Sequence, residues 1–126
     1  LGISSVLHME VDVAPEDISA ETAMVQELSR LPDSLIRGVI ASCRPEDPGF
    51  AAYLETQLTN PFVKGFRRVL HVVPDDVSEV ALFRESVKRL SGTGLTFDLC
   101  MLPHQIDKAK PRPRCSISWL GRQSPM

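Results

Sequence analysis

Along the chain, segments in which every second residue is apolar alternate with segments in which apolar residues recur every three or four positions. The first pattern is typical of β-strands and the second of amphipathic α-helices. The two-residue pattern predicts strands at residues 4–13 and 95–103, and apolar runs predict strands at residues 35–45 and 63–76. The helical pattern predicts helices at residues 16–31, 46–60 and 76–94, and a further helix that begins near His104.

The predicted helices have apolar stripes and, in two cases, start signals. Asp47 has the residue type of an N-cap and Pro48 that of a first helical residue, while Asp76 and Glu79 have the spacing of a capping box. The stripes are expected to face the core. They are Ala20, Met24, Leu28 and Leu31 in the first helix, Phe50, Leu54 and Leu58 in the second, and Val80, Phe83, Val87 and Leu90 in the third.

Repeated strand–helix units predict a parallel sheet with right-handed crossovers. Strands covered by helices on both faces are apolar throughout, but three of these strands have one polar face. In the first strand the polar face has His8, Glu10 and Asp12, and the apolar face has Leu7, Met9, Val11 and Val13. The polar positions are Arg67 and His71 in the third strand, and Thr96, Asp98 and Cys100 in the fourth. One polar face is typical of a parallel barrel whose lumen meets an active site. We therefore predict an α/β fold, a partial (β/α)8 TIM barrel of roughly three and a half βα units, since a whole barrel takes about 250 residues.

Composition narrows the class of protein. The chain has 126 residues and a net charge of −2, which argues against nucleic-acid partners and anionic membrane surfaces. No apolar run approaches the roughly 20 residues of a membrane helix. Three cysteines without CxxC spacing suit a reducing compartment, so we expect a cytoplasmic protein. We assign residues 1–107 to the partial barrel and the basic, proline-containing residues 108–126 to a tail that is disordered or foreign to the fold.

Three motifs carry a resemblance to a known family. They read Lys64-Gly65-Phe66-Arg67-Arg68-Val69-Leu70, then Gly94-Leu95-Thr96-Phe97-Asp98-Leu99, then Pro103-His104-Gln105-Ile106. Together they resemble the amidohydrolase superfamily, in particular its metal-dependent hydrolases related to sugar-acid lactonases and pyrone-dicarboxylate lactonase. The resemblance covers roughly residues 5–107. It implies a barrel hydrolase that opens small carboxylated lactones or related esters, often with a divalent, zinc-like metal ion.

The chain departs from this family at its metal site. The family's first strand carries a His-x-His pair, and later strands carry another histidine and a terminal aspartate. Here His8 has no histidine two positions later, and the later strands are missing. We therefore assign no catalytic residue and no metal ligand to this chain, and the metal ion is implied by the resemblance only.

Four residues are candidates for binding a carboxylated substrate. The resemblance implies that Arg67 holds the substrate's carboxylate; the alternative is an internal ion pair with Glu10 or Asp98. His104 and His71 follow strands, at the ends where barrel enzymes place their chemistry. Glu10 is expected to line the barrel lumen.

Other polar residues have structural interpretations. We expect His8 to be structural and Arg68 to point toward the helices, in a surface ion pair. Asp98 is interpreted as a buried partner for an arginine.

Three hypotheses about function follow. The first is a fragment of an amidohydrolase-type hydrolase, in which the chain alone is inactive. The second is an inert, incomplete barrel whose open strand edges pair with a partner or with a second copy, making a homo-oligomer. The third is a complete flavodoxin-like domain, although the stretch VDVAPED lacks a glycine-rich phosphate loop.

Overall fold

In the computed structural model, which describes residues 2–109, four strands alternate with helices. The strands are β1 (Val6–Met9), β2 (Ile36–Ser42), β3 (Val63–Val69) and β4 (Thr96–Cys100). The α-helices are α1 (Ile18–Ser29), α2 (Phe50–Leu58) and α3 (Ala81–Lys88). Short 3₁₀ helices cover Pro15–Asp17, Asp75–Glu79 and Pro103–Ala109. Within residues 2–109, no helix is long and apolar enough to cross a membrane.

The four strands form one parallel sheet in the order β1-β2-β3-β4. An order that follows the chain has no reversal point, where doubly wound folds bind their ligands, so the flavodoxin-like alternative is wrong. The predicted α/β fold with parallel strands is confirmed, and the arrangement is consistent with part of a TIM barrel.

The core lies between the sheet and the helices on one of its faces. Phe66 of β3 is fully buried and makes aromatic contacts with Phe50 and Tyr53 of α2. Phe97 of β4 meets Phe83 of α3 edge to face. The opposite side of the sheet, which includes Leu7, Met9 and Arg67, is called the open face below. Helices on a single face are the arrangement of a barrel wall.

Gly65 brings β3 and β4 unusually close together. A Cβ added at this position would lie 2.1 Å from Thr96 Oγ1 and 2.8 Å from the Thr96 carbonyl oxygen. Real Cβ atoms do not approach other atoms so closely, so only glycine fits here. The close approach sits two residues before Arg67 and sets where the β3 backbone runs beside β4.

The predicted stripe of α1 does not face the core. Met24, Leu28 and Leu31 are 57%, 45% and 58% exposed, whereas Ile18 and Val25 are buried. In a closed barrel, a helix packs against the sheet and also against the helix of the preceding unit. Among residues 2–109, this stripe is left exposed.

The alternation predicted for β1 also fails at its end. His8 faces α1, where its Nε2 lies 2.9 Å from Glu21 Oε1. Leu7, on the open face, is 51% exposed. The strand ends at Met9, and the backbone then turns, so Glu10 need not share a face with His8. His8 and Glu10 consequently have different surroundings despite their spacing.

Helices α2 and α3 begin later than predicted. Asp47 is not the N-cap of α2; its side chain accepts a hydrogen bond from the Gly49 amide in a turn, and Gly49 precedes the helix. The extended residue Val80 separates the 3₁₀ helix Asp75–Glu79 from α3, which starts at Ala81. Val80, which precedes α3, and Leu58, the last residue of α2, are exposed, contrary to the prediction that both face the core.

The predicted tail boundary at residue 108 stays a prediction. Lys108 is still attached to the fold, because its carbonyl oxygen accepts a hydrogen bond from Arg84 and its Nζ lies 2.6 Å from Glu79 Oε1. Residues 110–126 lie outside the described part of the chain.

Candidate functional site

Arg67 is the centre of a charged group on the open face. It lies on β3 between Phe66 and Arg68, both of which point toward the helix layer, so its own side chain projects the other way. Its Nε lies 2.6 Å from Glu10 Oε1, and its Nη2 lies 2.7 Å from the Glu10 carbonyl oxygen. The side chain remains 25% exposed. Among residues 2–109, no acceptor is hydrogen-bonded to Nη1.

Glu10 is the most deeply buried member of this group. Its side chain is 1% exposed, although it follows the last residue of β1. Oε2 accepts a hydrogen bond of 2.6 Å from the Asp12 amide. Asp12 has a φ of 55°, a left-handed conformation in which aspartate is enriched among non-glycine residues. This turn holds the carboxylate in place, with one oxygen on the guanidinium and the other on the backbone.

Asp98 completes the group from β4. It is the register partner of Arg67 in the β3–β4 ladder. Burial raises the pKa of Asp98 above its ordinary value, and the Arg67 charge offsets only part of this effect. Burial opposes the charged form of Arg67. The pKa of Arg67 is nevertheless raised overall, first by the hydrogen bond and charge of Glu10 and then by the charges of Cys100 and Asp98. Arg67 therefore stays charged, beside two carboxyl groups.

The two candidate histidines lie apart from this pair. His71 is exposed just after β3, and its Nδ1 lies 3.4 Å from Cys100 Sγ. His104 is exposed in the 3₁₀ helix Pro103–Ala109 and makes no hydrogen bond to any described residue. Of the four predicted substrate-binding residues, the structure thus brings Arg67 and Glu10 into contact with each other. Neither histidine contacts either of them.

Gln105 is a buried residue that the sequence reasoning missed. It is 3% exposed, and its Oε1 accepts a hydrogen bond from the Leu102 amide. Its Nε2 donates to the Leu70 carbonyl oxygen and to Asp75 Oδ1. Gln105 therefore ties the segment after β4 to the segment after β3. A signal was available, because Gln105 belongs to the same Pro-His-Gln motif that drew attention to His104.

Arg68 is paired as expected but is not at the surface. It is 6% exposed, and its Nε and Nη2 lie 3.0 and 2.5 Å from Glu46 Oε1. Glu46 follows β2, so this ion pair joins β3 to the turn before α2. The alternation in the sequence correctly predicted that Arg68 points toward the helices. It does not show how deeply the helices and loops on that side bury Arg68.

A small cleft lies on the helix side of the sheet. Its volume is about 190 Å³, and it lies between the start of α1 and the start of α2. Its lining includes Ile18, Cys43, Arg44, Phe50 and Tyr53. None of the four candidate substrate-binding residues lines this cleft, so the cleft and the Arg67 group are separate features.

The described residues do not suit a metal ion. Within residues 2–109, no group of three or more histidine, cysteine, aspartate or glutamate side chains is arranged to hold one. Of the two carboxyl groups beside Arg67, Glu10 is instead hydrogen-bonded to the guanidinium, and Asp98 lies next to Arg67 in the β3–β4 ladder. We therefore assign no metal-dependent step to this part of the chain.

Comparison with known proteins identifies the family. The amidohydrolase family profile matches residues 2–114, which is most of the chain. No curated protein and no solved structure matched in the corresponding comparisons. The family match covers all four strands, including the Arg67 group on the open face. The chain therefore belongs to the amidohydrolase family.

Proposed function

We propose that this chain supplies the substrate-binding part of a hydrolase that opens a small carboxylated lactone or a related ester. The observation that supports this most strongly is the position of Arg67. Its guanidinium projects from the middle of the open face, is partly exposed, and keeps Nη1 without a hydrogen-bond acceptor among residues 2–109. A guanidinium held in a fixed orientation is well suited to receive a carboxylate.

In this proposal Glu10 positions the guanidinium and Arg67 binds the substrate. The two hydrogen bonds that Arg67 donates to Glu10 fix the plane of the guanidinium, so Nη1 points in one direction before any ligand arrives. Because Glu10 already neutralises the cation, we expect weak binding, with a Kd of about 1 mM. His71 and His104 are proposed to contact the rest of the substrate from the loops after β3 and β4.

Hydrolysis itself is not assigned to these residues. The family is typically metal-dependent, and the described residues offer no ligand set for a metal ion. The 126-residue chain is therefore expected to bind a carboxylated lactone without opening it. Clear lactone hydrolysis by this chain, above the rate in buffer, would contradict the assignment of binding alone.

A binding titration tests the proposal. A pyrone dicarboxylate is titrated into the chain and followed by the amide chemical shifts of β3 and β4. The matched ligand control is the same pyrone without its carboxylates, which should cause no shift changes at Arg67. Arg67→Lys keeps a positive charge for Glu10 but lacks the planar guanidinium, so it should weaken binding about tenfold. Arg37→Lys, at an exposed position, should bind like the unmodified chain; equal binding by all variants would refute the role of Arg67.

The open edges of the sheet favour a second candidate, an inert partial barrel that associates with itself. Strands β1 and β4 each pair on one side only within residues 2–109. Each copy therefore offers one β1 edge and one β4 edge, and two copies supply the eight parallel strands of a barrel. The exposed α1 stripe offers a further apolar surface that a second copy would cover. Sedimentation equilibrium distinguishes a 13.9 kDa monomer from a dimer.

A further inference from the structure

His71 and Cys100 form a pair, whereas the proposed substrate site uses His71 only as a substrate contact and gives Cys100 no role. Cys100 is the last residue of β4, and His71 follows β3 by two residues. The strands are in register here, since Val69 is paired with Cys100 and the Leu70 amide donates a 2.9 Å hydrogen bond to the Cys100 carbonyl oxygen. This pairing places Cys100 Sγ 3.4 Å from His71 Nδ1, which is hydrogen-bond distance for sulfur.

The surroundings of the pair leave it accessible. His71 is exposed and Cys100 is partly exposed, so a small molecule can reach the sulfur atom. A thiol within hydrogen-bond distance of a base is the arrangement typical of reactive cysteines in proteins.

Cys43 provides an internal contrast. It is fully buried, and its Sγ donates a weak hydrogen bond of 3.8 Å to the Arg67 carbonyl oxygen. Burial, followed by the charge of Glu46, raises the pKa of the Cys43 thiol well above its ordinary value. Residues 2–109 thus hold one thiol that stays protonated and inaccessible, and another that lies at the surface beside an imidazole.

We propose that Cys100 and His71 form a nucleophilic pair that captures small conjugated carbonyl compounds covalently. His71 Nδ1 accepts the thiol proton, and the sulfur forms a bond to the β-carbon of the carbon–carbon double bond. The π electrons of that bond move onto the carbonyl as an enolate, and the imidazolium returns the proton to the α-carbon. The product is a thioether, and the step needs no oxidant, metal ion or further reactant.

The rate of thioether formation tests this pair. N-ethylmaleimide is reacted with a Cys115→Ser chain, which leaves Cys43 and Cys100, and modification of each cysteine is followed by mass spectrometry. In the folded chain, Cys100 should react about tenfold faster than in the urea-unfolded chain at the same pH. Cys43 should react only after unfolding. Equal Cys100 rates in the folded and unfolded chains would overturn the proposal.

Two variants separate activation by the imidazole from simple exposure. His71→Gln should lower the folded-state rate of Cys100 to about that of the unfolded chain, because no base is left beside the sulfur. Val72→Ala changes the neighbouring exposed residue and should leave the rate unchanged. Circular dichroism verifies that both variants are folded. A His71→Gln rate equal to that of the unmodified chain would show that the imidazole does not act on the thiol. The test is independent of the substrate role proposed for Arg67.

Discussion

Arg67 Nε lies 2.6 Å from Glu10 Oε1, although 57 positions separate the two residues along the chain. The contact reaches from β3 to the turn after β1, across the open face of β2. It is the internal ion pair that the sequence presented as the alternative to a substrate clamp. The ion pair is compatible with the proposed substrate role of Arg67, because it uses Nε and Nη2 and leaves Nη1.

The Glu10–Arg67 pair should contribute strongly to stability. Arg67→Met leaves a carboxylate that is 1% exposed without its counter-charge, so we expect the free energy of unfolding to fall by about 3 kcal/mol. Urea denaturation measures the change. Arg37→Met, at an exposed position, should cost less than about 0.5 kcal/mol. The double variant with Glu10→Gln should recover part of the loss, and equal effects of the two arginine variants would argue that the pair is not stabilising.

Gly65→Ala should separate β3 from β4. The added methyl group meets the backbone of Thr96 at 2.8 Å, and backbone cannot move aside as a flexible side chain does. We expect a loss of about 3 kcal/mol in the free energy of unfolding, with faster hydrogen exchange at the β4 amides. Gly49→Ala, where the nearest atom is a side-chain oxygen of Asp47 at 3.1 Å, is the matched control and should be mild. Unchanged β4 exchange in Gly65→Ala would contradict the close approach.

Stability should fall at alkaline pH because of Cys43. Burial raises the pKa of its thiol in the folded state, whereas the unfolded chain has the ordinary value of 9.0. Above that pH the unfolded state releases a proton that the folded state keeps, so the free energy of unfolding decreases, by up to about 1.4 kcal/mol per pH unit. Tyr53, whose pKa burial also raises, adds to the decrease at higher pH.

Variants at the two described cysteines isolate this effect. Cys43→Ala should have a shallower decrease of stability between about pH 8.5 and about pH 10.5, whereas Cys100→Ala should keep the slope of the unmodified chain. Guanidinium denaturation at a series of pH values measures the slope. If the slope of Cys43→Ala matches that of the unmodified chain, the buried thiol is not its source.

The exposed stripe of α1 should control self-association. Leu28→Lys places a charge at the centre of the stripe, so it should shift the chain toward the monomer if a second copy covers this surface. Leu58→Lys makes the same change at a similarly exposed position on α2. Sedimentation equilibrium should show a lower average mass for Leu28→Lys alone. Equal masses for both variants would rule out the α1 stripe as the contact surface.

The strand–helix order and the parallel sheet could be predicted because their signals are local. Alternation identified β1 and β4, an apolar run identified β2, and the polar face of β3 indicated which way Arg67 points. The stripe of α1 was predicted to be buried because periodicity reports that one side of a helix is apolar, not what lies against it. Met24 and Leu28 are exposed among residues 2–109 although they lie on the apolar side of α1.

The surroundings of the site residues could not be predicted from spacing. His8 and Glu10 are two positions apart and would share a face in a continuous strand, but β1 ends between them. That end depends on the left-handed backbone of Asp12 and on hydrogen bonds to Glu10 and Glu21, which form only in the fold. The contact between His71 and Cys100 depends in the same way on the β3–β4 register.

The position of Asp98 beside Arg67 has a consequence for proton uptake. When all three groups are ionised, Glu10, Arg67 and Asp98 carry a net charge of about −1, and a bound carboxylate adds another negative charge. Burial has already raised the pKa of Asp98, and the added negative charge raises this pKa further, so it favours protonation of Asp98. Carboxylate binding should then bring a proton with it, and mild acid should favour occupancy of the open face.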